Sequence, residues 1–151
     1  MFTRSRLALF CFLALAFVAG LYGPSLVSST PDLLAADGTP YKDIDIATLK
    51  EMQGANIKII DLRRQDEWDG TGVIEGAVKL TAFDRSGNFI DSFPEQFQDQ
   101  VSADDKIVLI CWSGYRSSRI AEAISDKGYA NVYNVLGGMS AWIEGGNPVI
   151  K

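Results

Sequence analysis

The residues with most capacity for chemistry are Cys111-Trp112-Ser113-Gly114-Tyr115-Arg116-Ser117, which follow directly on the apolar run Ile107-Val108-Leu109-Ile110. That run is unbroken and rich in β-branched side chains, the pattern of a central strand buried on both faces. Ser117–Lys127 has helical spacing, with Ile120, Ala121 and Ile124 on one face, Lys127 in the last turn and Gly128 as the C-cap. The segment is thus strand, short loop, helix. In an open α/β sheet, ligands gather at the carboxyl ends of the strands. A helix N-terminus placed there offers unpaired N–H groups and the positive end of its dipole, which suits an anion.

A cysteine in this position is expected to be stabilised as the thiolate by those N–H groups and by Arg116. Gly114 lets the backbone fold tightly, so that successive amides point into one bowl. Such a thiolate can attack a sulfane sulfur. The product is a persulfide whose terminal sulfur is also anionic and sits in the same bowl. One set of donors then serves nucleophile, intermediate and oxyanion substrate, and no separate base is needed. The competing assignment is an inert buried thiol. The strand-end position, the glycine and the neighbouring arginine argue against it. Trp112 and Tyr115 either shape a substrate mouth or cover the loop. Arg119, about one turn into the helix, reads as a solvated charge.

Composition narrows the alternatives. The chain has 151 residues and no histidine, which excludes a Ser-His-Asp triad, a Cys-His dyad and His-ligated zinc. It has two cysteines, and Cys11 lies in an apolar leader. If that leader is removed, a lone Cys111 permits neither an internal disulfide nor a cysteine-only metal site, and no cofactor is expected. The net charge is −5, and residues 1–29 contribute two arginines and no acid, so the remainder carries −7. A body this acidic is a poor nucleic-acid binder. Arg63-Arg64 and Arg116 with Arg119 are adequate only for a small anion.

The elements that must position the loop can be traced from Tyr41. Asp45–Gln53 reads as a short helix with Asp45 as N-cap, and Ile57–Ile60 as a strand, with a second at Gly76–Leu80. Ser86-Gly87-Asn88 marks a turn, and Pro94–Gln100 one or two helical turns. Val132–Val135 returns as a strand, Gly137-Gly138 turns the chain, and Met139–Glu144 forms a last helix. Strands alternating with helices indicate an α/β fold around a mostly parallel sheet.

Arg4 and Arg6 precede the uncharged stretch Leu7–Tyr22, and Pro24 and Ser25–Thr30 follow, which is the order of a secretory signal. Residues 1–29 are therefore expected to be a cleaved signal peptide or a retained membrane anchor, attached through residues 7–27, with residues 30–40 as linker. In either case the arginines hold the start of the chain in the cytoplasm and the body is exported, in a periplasmic or other extracytoplasmic location.

Residues 41–150 resemble the rhodanese homology family. The resemblance is carried by Asp61-Leu62-Arg63, Glu67-Trp68, Gly72-Val73-Ile74-Glu75-Gly76-Ala77, Cys111–Ser117, and Leu136-Gly137-Gly138-Met139 with Trp142 and Gly145-Gly146, in that order and spacing. It implies a three-layer α/β fold with a central five-stranded parallel sheet and helices on both faces. It implies a sulfurtransferase in which Cys111 carries the persulfide and the amides from Trp112 through Ser113, Gly114 and Tyr115 to Arg116 bind the transferred sulfur. Asp61, Arg63 and Ser117 would support the loop, and the Gly-Gly-Met turn and Trp142 would pack. The implied partners are a small sulfur anion as donor, such as thiosulfate, and a thiol or cyanide-like acceptor, a protein thiol included. Three features depart from the family pattern. Val73 stands where the family often has histidine, the Trp68–Gly72 stretch is one residue longer, and Trp112 replaces a residue that is basic in many relatives. A non-catalytic persulfide carrier or redox or sulfide sensor is the alternative function. Phosphatase or arsenate reductase chemistry is disfavoured because Arg116 lies five positions after Cys111, against six in those loops.

Overall fold

The computed structural model describes residues 39–151. The expected leader and nearly all of the expected linker, with Cys11, lie outside the described residues. Among those described, no helix is long and apolar enough to cross a membrane.

The chain runs β1 (Lys42–Ile44), α1 (Ile46–Gly54), β2 (Lys58–Asp61), α2 (Gln65–Thr71), β3 (Val78–Lys79), α3 (Phe93–Gln98), β4 (Lys106–Ile110), α4 (Tyr115–Ser125), β5 (Asn131–Val135) and α5 (Gly138–Glu144). The strands form one parallel five-stranded sheet in the order β1-β5-β4-β2-β3. The apolar run is therefore the central strand. Its residues alternate between faces, as strand geometry requires. Ile107 and Leu109 pack with Phe93 and Phe97 of α3 and Ile120, Ala121 and Ile124 of α4. Val108 and Ile110 pack on the other face with Leu49 of α1 and Met139 and Trp142 of α5. Two apolar layers flank the sheet, which explains why β4 is apolar from Ile107 to Ile110, with only the exposed Lys106 at its start polar.

Asp45 caps α1 as expected, its carboxylate accepting from the Thr48 N–H at 2.8 Å. Other boundaries shift. The α4 helix begins at Tyr115 instead of Ser117 and ends at Ser125, so Lys127 lies beyond the last helical turn and Asp126, not Gly128, is the C-cap. The early start follows from Gly114. Its φ of +91° ends the loop, and a Cβ there would stand 2.8 Å from the Val135 carbonyl oxygen. Two elements were not anticipated from sequence, the edge strand β1 and the helix α2. The latter carries a side chain that reaches the loop.

Candidate active site

Three backbone segments meet at Cys111. The first is the end of β4, which delivers the cysteine, fully buried, at the carboxyl edge of the sheet. The second is the start of α4. The Gly114 N–H donates to Cys111 Sγ at 3.2 Å. The N–H groups of Tyr115, Arg116 and Ser117 are the first of the helix, where no preceding turn supplies a carbonyl. The third is the start of α5. The Met139 and Ser140 N–H groups donate to the carbonyls of Cys111 and Trp112 at 2.8 and 2.9 Å. This contact needs Gly138, whose φ is +54° and where a Cβ would collide with the Cys111 carbonyl oxygen and stand 2.7 Å from that of Trp112. The Gly137-Gly138 pair thus lets a helix end dock on the backbone of the nucleophile loop.

The loop residues divide by exposure. Trp112 is 40 % and Tyr115 69 % exposed, Ser113 is exposed, and Gly114 and Ser117 are buried. Trp112 and Tyr115 therefore stand at the surface around a buried sulfur. Trp112 also lines a shallow depression with Asp66, Glu67, Gly70 and Thr71 of α2. The exposed Arg119 lies over the Phe83 ring, 5.1 Å from its centroid.

Arg116 does not face the bowl alone. Its guanidinium forms a two-pronged pair with Glu67, at 2.6 and 2.9 Å. The hydrogen bond to Glu67 raises the Arg116 pKa against partial burial, and the charges of Glu67 and of Cys111 add to that. Burial alone would raise the pKa of Glu67. The Arg116 hydrogen bond and the Arg64 N–H, which donates at 3.1 Å, more than offset this and hold it below its ordinary value. Glu67 is the site residue whose role the sequence did not disclose. It occupies the third helical position of α2, and its only local signal is the Arg64-x-x-Glu67 spacing of a helix start.

Asp61 and Arg63 lie beside the site without touching the sulfur. Both side chains are fully buried, and Arg63 Nη2 meets Asp61 Oδ2 at 2.7 Å. The remaining donors of Arg63 reach Thr71 Oγ1 and the Gly72 carbonyl, each at 2.7 Å. The pair pins the C-terminal end of α2 to the end of β2, and α2 in turn presents Glu67 to Arg116. Ser117 Oγ stands 3.3 Å from Cys111 Sγ and 2.6 Å from Asn134 Oδ1. Asn134 is a second buried polar residue that the sequence did not single out. Among the described residues, no cluster of three or more Cys, Asp or Glu side chains is placed to hold a metal ion.

A profile of the family described as "Rhodanese-like domain" matches residues 45–144. The chain is 31% identical over 98 residues to the thiosulfate sulfurtransferase GlpE of Actinobacillus succinogenes, covering 65% of this chain and 79% of that protein. It is 34% identical over 103 residues to a putative sulfurtransferase, YtwF, of Bacillus subtilis, covering 67% and 89%. Among solved structures, a rhodanese-related protein from Thermoplasma volcanium superposes with a TM-score of 0.60 at 29% identity, over 73% of this chain and 98% of that one.

Proposed function

The chain belongs to the rhodanese-like domain family, whose relatives include sulfurtransferases, and from that premise we propose that it moves a sulfane sulfur through a persulfide on Cys111. The observation that carries the proposal is the placement of Cys111. It is a buried sulfur at the end of the central strand, under the first N–H groups of α4, with the Gly114 amide on Sγ.

With thiosulfate as donor, the Cys111 thiolate attacks the outer sulfur. The S–S bond of thiosulfate breaks and sulfite leaves with the bonding pair. The new persulfide carries its negative charge on the terminal sulfur, where the α4 amides and Arg116 are the available donors. A thiophilic acceptor then takes that sulfur. Cyanide yields thiocyanate, and a thiolate yields a new persulfide; either returns the Cys111 thiolate. Asp61 and Arg63 act by bracing α2, and Ser117 by its contact with Sγ. Incubation with thiosulfate, followed by mass spectrometry of the Cys111 peptide, tests the intermediate. The expected result is a gain of one sulfur atom, and its absence with every donor tried would refute the persulfide.

For location, the basic and then apolar order of residues 1–27 supports export of the domain at residues 41–150. Fractionation of cells with an intact-mass measurement tests this. Cleavage after Ser29 gives a chain starting at Thr30, a retained anchor leaves the full mass in the membrane fraction, and a full-length protein in the cytoplasm would refute export.

A further inference from the structure

Beside the nucleophile loop lies a depression of about 310 Å³, lined by Trp112 and by Asp66, Glu67, Gly70 and Thr71 of α2. Two of its walls adjoin the bowl. Trp112 follows Cys111 directly, and Glu67 holds Arg116, whose guanidinium also hydrogen-bonds to Cys111. A group attached to a sulfur in the bowl can therefore rest in the depression. The polar groups of the lining are already matched. Asp66 accepts from Arg64 at 3.0 Å and from Arg85 at 2.9 Å, and Glu67 accepts from Arg116 and from the Arg64 N–H. The Thr71 hydroxyl accepts from Arg63 and donates to the Glu67 carbonyl, each at 2.7 Å. What is left for a ligand is carbon: the exposed Trp112 indole, the Thr71 methyl group and the bare helix edge at Gly70. Glycine is a poor helix residue, yet Gly70 stands within α2, and a Cβ there would meet nothing within 4 Å. The missing side chain relieves no clash in the fold; it widens the depression.

We propose that this depression is the acceptor subsite of the transfer, and that it takes a thiol with an uncharged, carbon-rich body. That body lies against Trp112 and Gly70 while the thiol sulfur enters the bowl. The inference rests on the proposed persulfide on Cys111, and the step needs no further reactant. The acceptor thiol gives its proton to solvent, and its sulfur attacks the outer sulfur of the persulfide. The bond between the two persulfide sulfurs breaks, its electron pair returns to Cys111 Sγ, and the acceptor leaves as a persulfide. Cyanide has no body to place in the depression. Thiosulfate, a dianion, finds its donors in the bowl. A charged acceptor body would leave water for lining groups whose hydrogen bonds are already made, and so gains nothing there.

The test uses the full chain, loaded with thiosulfate, freed of donor and mixed with one acceptor at a time. Loss of the added sulfur from the Cys111 peptide, followed by mass, gives a rate constant for each acceptor. The acceptors are phenylmethanethiol, whose body is an uncharged ring, mercaptoethanesulfonate, whose body is an anion, and cyanide. The parent should deliver sulfur to phenylmethanethiol about tenfold faster than to mercaptoethanesulfonate, as expected for one face of a ring leaving water. Gly70→Leu fills the depression from the helix side, so the rate to phenylmethanethiol divided by the rate to cyanide should fall about tenfold. Gly54→Leu, at another helical glycine with open space around it, is the control and should leave that ratio unchanged. Trp112→Leu removes the ring face and should lower the ratio as well; it carries the test if Gly70→Leu fails to fold. Equal rates to the two thiols in the parent overturn the subsite, as does a ratio that matches the control's in every folded variant. A Cys111 that never gains sulfur overturns the transfer and the subsite with it. Sulfur that loads and leaves with an unaltered ratio overturns the subsite alone.

Discussion

Gly138→Ala asks whether α5 holds the nucleophile loop. The new Cβ would sit at a φ of +54°, collide with the Cys111 carbonyl oxygen and stand 2.7 Å from that of Trp112. Two costs add. The left-handed conformation costs a non-glycine residue about 1–2 kcal/mol, and overpacking against backbone that is tied down costs about 1–3 kcal/mol. At about 4–8 °C per kcal/mol for a small domain, the combined cost of about 2–5 kcal/mol should lower the melting temperature by about 8–40 °C. The collision also moves the backbone of Cys111 by a sizeable fraction of an ångström. Misplacement on that scale should lower the rate of thiosulfate–cyanide turnover per folded molecule by about tenfold to a hundredfold. Gly146→Ala is the control. Its φ is +70° but nothing lies within 4 Å of the added Cβ, so it should cost only the conformational term, about 1–2 kcal/mol, and leave the rate per folded molecule unchanged. Melting followed by circular dichroism, with initial rates taken below the onset of unfolding, separates the two effects. If Gly138→Ala matches Gly146→Ala in both, the docking of α5 on the loop does not position the nucleophile.

Asp61→Ala leaves Arg63 charged and buried without its partner, and chemical denaturation should show a loss of about 3–5 kcal/mol. Asp61→Leu with Arg63→Met should cost less than that single change, and an equal or larger loss would mean that the pair does more than satisfy itself. Glu67→Gln removes the charge that engages Arg116, so the KM for thiosulfate should fall roughly fivefold, the equivalent of ~1 kcal/mol for a partly exposed pair. An unchanged KM would mean that the guanidinium does not meet the donor. Because the Glu67 pKa is lowered in the folded state, its stabilisation is present above the unfolded value and lost as pH falls through the folded one. Urea midpoints should therefore drop on acidification below about pH 5, and the drop should be smaller in Glu67→Gln.

The centre of the fold was legible because its signals are local. Ile107–Ile110 is unbroken and apolar, Ile120, Ala121 and Ile124 recur at helical spacing, and Asp45 stands at a helix start. The periphery was not. The sequence of α2, Gln-Asp-Glu-Trp-Asp-Gly-Thr, has one large apolar residue, and its end is held by Arg63 from the preceding loop. The strand β1 is three residues long and is defined by pairing with β5, some ninety residues away. The same distinction holds in the site. Cys111, Gly114 and Arg116 announce themselves by spacing within one loop. Glu67 meets Arg116 across 49 positions and Asn134 meets Asp43 across 91, so neither contact leaves a local trace. A polar Asn134 between the valines of a short strand was the one available hint, since a buried amide needs a partner.

Thiocyanate formation from thiosulfate and cyanide, by the protein and by its Cys111→Ala variant side by side, tests the central claim most directly. Turnover is expected from the first and none from the second, with both equally folded. Equal turnover by the two would contradict it, as would Cys111-dependent hydrolysis of an aryl phosphate in place of sulfur transfer.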